Sequence, residues 1–365
     1  MHVMNKNIQA PARGRFFRFF PPPFFLNFPT AGVDISETSI KVLKLKETKD
    51  GRIPDFFEEK RIALGIISQG EIKDLSSLAT VLIGLKRKYD LTFIRASLPE
   101  EKVYLFQTNI PFLEDKKQLL HNIEFQLEEH VPIPPEDSVF DYDVIREHEG
   151  NIEVSVTVFP KKVVESYKEV FRLAELTPVS FELEGQAIAN AVIAPGDGGA
   201  YMIVDFGRTR TGISIVKNGV ASFTSTVDVG GNALTEVITK LFNVDEAEAQ
   251  RIKNKRGVVN SQENKELHDA LMDTISALRD EVSRHFVYWN TNDANKSEQD
   301  KISKIILCGG NASLAGLPEL LSVGVKVPVE RADVWQNAFS YENYIPPMHY
   351  EEGLSYATTI GLALH

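Results

Sequence analysis

Residues 31–45 (AGVDISETSIKVLKL) and 202–216 (MIVDFGRTRTGISIV) carry one pattern half a chain apart: an apolar strand ending in aspartate, a short turn of small or polar residues, and a second apolar strand. Apolar runs and alternations of this length predict β-structure. Asp suits such turns because its side chain bonds nearby backbone. Taken singly, either segment is an ordinary hairpin. Taken together, with Asp34 and Asp205 171 residues apart in a chain of 365, they predict two similar lobes that present matching hairpins to a shared cleft. Size points the same way, because a single hydrophobic core stops growing near ~250–300 residues.

The rest of the chain fills in around the hairpins. A helical stripe (Ile72, Leu75, Leu78, Ala79, Leu82, Leu85) predicts a helix over 72–89, ending in Lys86-Arg87-Lys88, cations that complement a helix C-terminus. Strands are expected at 103–110, 138–146 and 152–159, and helices at about 115–130, stopped by Pro132, Pro134 and Pro135, and at 161–174. Asp141 and Asp143 alternate with Phe140, Tyr142 and Val144, which predicts a solvated strand face rather than an acid pair. The run Ala194-Pro195-Gly196-Asp197-Gly198-Gly199 marks a linker or tight turn. Beyond it come strands at 201–207, 211–216 and 220–226, a long amphipathic helix at 265–289 with Trp289 in its core face, a polar loop at 290–301, and a buried strand at 302–307.

Composition narrows the function. Charged residues are 25% and hydrophobic residues 43% of the chain, which excludes a largely disordered or fibrous protein. No run of ~18 uncharged apolar residues occurs, so no transmembrane span is expected. One Cys, Cys308, excludes a disulfide framework or a Cys-based metal site; at a strand end before Gly-Gly it reads as a small buried hydrophobe rather than a redox thiol. The net charge of −11 argues against a general nucleic-acid binder. That average hides residues 1–29, which hold Lys6, Arg13, Arg15 and Arg18, no acid, and seven of the 22 phenylalanines, leaving 36 basic against 51 acidic residues for the rest. Such a tail either meets an anionic membrane surface or a partner, or packs its Phe24–Phe28 stretch on the first lobe. It does not read as a secretory signal, since Arg18 and Pro21–Pro23 interrupt any apolar segment; a cytoplasmic location is expected.

A third element adds chemistry. Ile305–Leu317 (IILCGGNASLAGL) reads as a strand entering a Gly-Gly turn and then a helix start, where glycines admit close backbone approach and free N–H groups can face a ligand. Two Asp hairpins followed by strand-GGNA resemble the actin-like ATPase superfamily. Asp34–Lys41 resembles its first phosphate loop, Asp205–Thr211 its second, Leu307–Asn311 its adenosine motif, and Glu184–Ala191 and Ala357–Ala363 its two connecting helices. Within it the chain is similar to the PilM family of type IV pilus assembly, itself similar to FtsA, through Glu124–Asp137 (EFQLEEHVPIPPED), Val229–Glu236 (VGGNALTE), Glu248–Lys253 (EAQRIK) and the Gly361–Leu364 ending. An FtsA protein would continue into a membrane-binding helix where this sequence stops, which is a reason to expect the PilM type.

The resemblance implies an α/β, bilobal actin-like ATPase fold with two RNase H-like lobes and smaller subdomains around a nucleotide cleft. The expected division is a tail at 1–29, a first lobe at 30–195 with an extra subdomain at about 99–170, and a second lobe at 196–365 with a smaller subdomain at about 228–300, whose C-terminal helix at about 354–364 returns to the first lobe. It also implies ATP with Mg²⁺. Asp34 and Asp205 would hold the metal largely through water. Ser36, Thr38, Ser39 and Lys41 of the first loop, and Gly207, Arg208 and Thr209 of the second, would meet phosphates. Gly231, Asn232, Gln250, Lys253, Gly309, Gly310 and Asn311 would meet sugar and base, and Glu184 would orient a water.

Three positions depart from the family pattern: Ser36 where Gly is usual, Gln250 where Glu is commoner, and Arg208, where a small residue is usual, able either to add a phosphate contact or to crowd the site. These predict nucleotide binding with at most slow ATPase activity. The resemblance further implies an adaptor at the cytoplasmic face of the inner membrane. It would bind the N-terminal peptide of a PilN-like inner-membrane protein in a groove beside the 103–110 and 152–159 strands. Contact with other pilus machinery, self-association and a peripheral membrane contact through residues 1–29 complete the expected partners, with no nucleic acid. An FtsA-like filament former is the alternative, and a small-molecule kinase of the same fold a third reading.

Overall fold

The computed structural model describes residues 30–112, 115–148, 150–291 and 297–364. The basic, Phe-rich residues 1–29 lie outside the described residues, as does part of the polar 290–301 loop. The chain divides into two compact units, one of residues 30–47 and 54–184, the other of residues 48–53 and 185–364.

The first unit begins with β1 (Ala31–Ile35), β2 (Ser39–Thr48) and β3 (Gly51–Arg61), whose connecting residues 48–53 fall in the second unit, then the small hairpin β4 (Ile67–Ser68) and β5 (Glu71–Ile72). Helix α1 (Leu75–Tyr89) follows, three residues shorter at its start than the stripe predicts, because Asp74 caps it by accepting from the Ser77 N–H. Next come β6 (Phe93–Leu98), β7 (Tyr104–Pro111), α2 (Lys116–His130), β8 (Ser138–His148), β9 (Asn151–Pro160), α3 (Lys161–Leu173) and β10 (Thr177–Leu183). The main sheet has the order β10-β6-β1-β2-β3, with β1 antiparallel to β2 and parallel to β6. β1 is buried along its whole length, as its unbroken apolar character requires of a central strand.

The insert β7–β9 is a separate three-stranded antiparallel sheet, ordered β7-β9-β8. Its core joins Ile152, Val154, Val156 and Val158 of β9 to Leu119, Ile123 and Leu127 of α2. β9 is the middle strand, with both of its edges paired, so a peptide adding to this sheet beside the 103–110 strand would meet the outer edge of β7.

The second unit holds α4 (Glu184–Val192, whose first residue falls in the first unit), β11 (Ala200–Phe206), β12 (Thr211–Lys217), β13 (Val220–Val227), α5 (Gly231–Phe242), α6 (Glu246–Arg256), α7 (Lys265–Thr291), β14 (Ile302–Cys308), α8 (Leu317–Ser322), β15 (Val329–Arg331), α9 (Tyr350–Leu354) and α10 (Ala357–Leu364). Its sheet runs β13-β12-β11-β14-β15. β11 pairs antiparallel with β12 and parallel with β14, as β1 does with β2 and β6. Read from β1 or β11 outward, each sheet is a meander of three consecutive strands on one side and two later parallel strands on the other. The duplication read from two short motifs therefore extends to whole sheets.

Helix α7 buries Leu267, Leu271, Ile275, Leu278, Val282 and Trp289, the stripe its sequence predicts, and Phe286 as well. Trp289 donates its indole N–H to the Asp300 carbonyl at 2.8 Å, and the Asp300 carboxylate meets Lys217 of β12 at 2.9 Å with both side chains 5% exposed. α10 packs on α4 so closely that a β-carbon on Gly361 would overlap the Ala187 carbonyl oxygen. The expected helix start after Gly309-Gly310 is corrected. Residues 309–316 form successive turns, and the only helix there, α8, begins at Leu317 and lasts six residues. Arg331 of β15 explains the delay, since its guanidinium donates to the carbonyls of Ala312 (2.8 Å), Ser313 (3.4 Å) and Leu314 (3.0 Å) and so holds the chain in turns.

Candidate functional site

The two Asp hairpins are built to one template. Each is closed by a pair of residues five apart, Ile35 with Ile40 and Phe206 with Thr211, leaving a four-residue loop. In each, the third and fourth residues after the aspartate stand at the loop's tip. Among the described residues, the backbone N–H groups of Glu37 and Thr38, and those of Arg208 and Thr209, have no acceptor. Adjacent N–H groups of this kind form a concavity suited to an anion.

The first loop is held by its own side chains. The Ser36 N–H donates to the Ser39 carbonyl (2.9 Å), the Ser36 hydroxyl to the same oxygen (3.0 Å), and the Ser39 N–H to Ser36 Oγ (3.1 Å). Ser36 and Ser39 are therefore occupied in shaping the turn, and the loop N–H groups without an acceptor among the described residues are those of Glu37 and Thr38. Asp34 is 9% exposed and accepts from the Ser97 hydroxyl of β6 at 2.8 Å, which fixes its carboxylate. Ser97 carries no signal in the sequence, being one serine in a strand (FIRASL) with no motif. Lys41 stands opposite Asp34 in the ladder. Glu184, at the start of α4, follows β10 directly.

The second loop is held by its neighbours. The Gly207 carbonyl accepts from the Gly231 N–H (3.0 Å) and from Asn311 Nδ2 (2.7 Å), and the Arg208 carbonyl accepts from the Asn232 N–H (2.9 Å). The Phe206 carbonyl accepts from the Asn311 N–H at 3.1 Å and from Asn311 Nδ2 at 3.3 Å. The helix α5 thus uses its first N–H groups on the hairpin. Arg208 itself turns to Asn232 (3.2 Å) and Glu246 (2.8 Å), an exposed ion pair of the kind worth under about 1 kcal/mol. Gly309 has φ +87°, a conformation natural to glycine, and a β-carbon there would overlap Asp205 Oδ1. Gly309 thus packs on Asp205 instead of facing an open surface, whereas Gly310 is exposed.

Lys253 departs furthest from expectation. Its side chain is buried, and its ammonium donates to the Gly231 carbonyl (3.1 Å), Thr235 Oγ1 (3.1 Å) and Asn311 Oδ1 (2.9 Å), three neutral acceptors. Burial, helped by the positive charge of Arg208 and opposed by Glu246, pulls its pKa down to about 8. Gln250 lies in the same cluster, its Oε1 3.2 Å from the Thr235 hydroxyl and its Nε2 donating to Asn254 (3.2 Å). Thr235 and Arg331 are participants that the sequence did not flag.

Among the described residues, no three acidic, His or Cys side chains gather as a metal site. Asp34 and Asp205 fit Mg²⁺ only in the manner of an ion that takes most of its ligands from water and phosphate. Cys308 is buried, its Sγ 3.8 Å from the Val204 carbonyl, as a core hydrophobe should be. Among the described residues, no helix is long and apolar enough to cross a membrane.

Comparison with known proteins gives a consistent result. The profile of a family described as type IV pilus assembly protein PilM matches residues 32–365. A chain of a PilM-PilN type IV pilus biogenesis complex superposes with a TM-score of 0.74 at 19% identity, covering 92% of this chain and 98% of that one. The ethanolamine utilization protein EutJ from Carboxydothermus hydrogenoformans gives 0.57 at 16% identity, covering 94% and 91%. MreB5 of Spiroplasma citri, bound to ADP, gives 0.55 at 13% identity, covering 91% and 94%. At such identities the likeness is one of fold, and the fold is actin-like.

Proposed function

Because the chain belongs to the PilM family of type IV pilus assembly proteins, we propose that it is the ATP-binding actin-like adaptor of a pilus machine. The observation that carries the nucleotide reading is the pair of matched hairpins, each with one aspartate and two adjacent N–H groups that have no acceptor among the described residues. Phosphate oxygens are the natural complement of such donors, and a Mg²⁺ ion bound with them would supply charge neutralisation. Glu37 and Thr38 in one hairpin, and Arg208 and Thr209 in the other, would bind phosphate through backbone. Lys41 would add a point charge, and Asp34 and Asp205 would orient metal-bound water. Glu184 is the candidate for positioning an attacking water, and slow turnover is expected.

Equilibrium ATP binding with and without Mg²⁺ tests this reading. Asp34→Ala and Asp205→Ala should each weaken Mg-ATP by about tenfold or more, with less effect when Mg²⁺ is absent. Absence of binding by the unsubstituted chain would leave a scaffold without a nucleotide.

The proposed partner is the N-terminal peptide of a PilN-like protein, by analogy with the PilM-PilN complex whose PilM-type fold this chain shares. The insert built from β7, β9, β8 and α2 is the candidate surface. With β9 enclosed, the outer edges of β7 and β8 and the flank of α2 are the parts that could take an added peptide. This role places the protein at the cytoplasmic face of the inner membrane, where residues 1–29 would add a peripheral contact.

A further inference from the structure

We infer that Lys253 is a positioning residue, not a nucleotide ligand: together with Asn311 it aims the two unpaired N–H groups of the second hairpin. The inference rests on the nucleotide reading of that hairpin and adds the device that sets its geometry.

In a planar trans peptide, C=O and the following N–H point in opposite directions. The Gly207 carbonyl is held from one side by the Gly231 N–H and Asn311 Nδ2. The N–H of Arg208, in the same peptide plane, is thereby turned to the other side. The Arg208 carbonyl is likewise held by the Asn232 N–H, which turns the Thr209 N–H outward in the same way. The direction of both free donors is thus fixed by what grips the carbonyls behind them.

Lys253 controls that grip through two arms. Its ammonium donates to Asn311 Oδ1 at 2.9 Å. This commits the oxygen of the amide to the lysine and leaves Nδ2 as the end that meets Gly207 and Phe206. Its second arm donates to the Gly231 carbonyl at 3.1 Å, on the residue whose own N–H meets Gly207. A β-carbon on Gly231 would overlap the Asn311 amide, so the two arms are also in direct contact. Buried, with its three donors taken, the ammonium would have to break this cluster to reach a sugar or base. A buried cation on neutral acceptors is costly and needs its full set of partners. Here two of the three partners, Gly231 and Asn311, themselves grip the hairpin.

Two measurements on the full chain test the inference, with Lys253→Met and Asn311→Asp as variants. Asn311→Asp is informative because it offers Lys253 a carboxylate while presenting oxygen to the carbonyls of Gly207 and Phe206. A merely structural role predicts a cluster at least as firm, whereas a positioning role predicts a loosened hairpin. In hydrogen exchange without nucleotide, the segment containing the Gly231 and Asn232 amides should exchange about tenfold faster in both variants, while β11 and β14 stay protected. In competition binding, both variants should weaken ATP and inorganic tripolyphosphate by the same factor, about tenfold. The double variant should be little weaker than either single one, as expected for residues acting as one unit.

Unchanged exchange overturns the inference. So does a loss for ATP with tripolyphosphate unaffected, which would mark a base or sugar contact, or a double variant whose losses multiply. If the unsubstituted chain binds neither ligand, the nucleotide reading fails, and the exchange measurement still decides whether Lys253 holds the hairpin. If Lys253→Met does not fold, Asn311→Asp carries both measurements.

Discussion

Asp34 and Asp205 occupy the same place in two hairpins, and the residues that fix them differ: a serine hydroxyl from a neighbouring strand for Asp34, and a glycine packed against the carboxylate for Asp205. Both aspartates were legible from their motif, because the motif is local. The placement of Lys253 was not. Its acceptors lie 22, 18 and 58 residues away in sequence, and α6 (EAEAQRIKNKR) has no apolar stripe to announce which side faces inward. The buried ammonium has a consequence for pH. Its folded pKa of about 8 lies below the usual lysine value, so between the two the unfolded chain binds more protons and stability rises with pH. The cost of burying the charge is fully present below pH 8 and is relieved above it. Relative to Lys253→Met, the intact chain should gain about 1 kcal/mol of unfolding free energy between pH 8 and pH 9, read as a shift in urea midpoints. A difference that does not change with pH would show that the three acceptors keep the amine charged.

At the scale of elements, the strongly periodic pieces were legible and the polar or proline-bearing ones were not. Helix α7 follows from its stripe, and the edges of the insert sheet from their alternation. β3 (GRIPDFFEEKR) and β10 (TPVSFEL) were not apparent, since each carries a proline and stands at a sheet edge, where proline is tolerated but hides the pattern. The helix expected after Gly-Gly failed for a nonlocal reason, the grip of Arg331 on three carbonyls. The crossing of α4 and α10 rests on one missing side chain. Gly361→Ala puts a methyl group into the Ala187 carbonyl, and the helices must move apart. Overpacking of this kind costs about 1–3 kcal/mol. A lower thermal midpoint with ATP affinity nearly kept would place the damage in packing, while an unaltered midpoint would mean that the helices part freely.

At the scale of the whole molecule, the chain is a sheet plan used twice, with a three-stranded insert in the first copy and a helical one (α5, α6, α7) in the second. The duplication was readable from two fifteen-residue segments because the hairpin that anchors each sheet repeats its loop length residue for residue. The pairing order of the three-stranded insert, β7-β9-β8, could not be read from alternation alone. If a PilN-like peptide binds the first insert and ATP the hairpins, any effect of one on the other must be reciprocal. A peptide whose affinity rises by a given factor with Mg-ATP should strengthen ATP by that same factor, measurable by titrating each against the other; equal affinities with and without nucleotide would mean uncoupled sites. The hairpins also differ in their freedom to vary. The first, braced by Ser36 within its own loop, can accept substitutions one at a time. The second is braced by Gly231 and Asn232 at the start of α5 and by Asn311 after β14, so a new residue there has to arrive together with changes in its supports, and one copy of a duplicated motif can drift while its twin stays bound to its company.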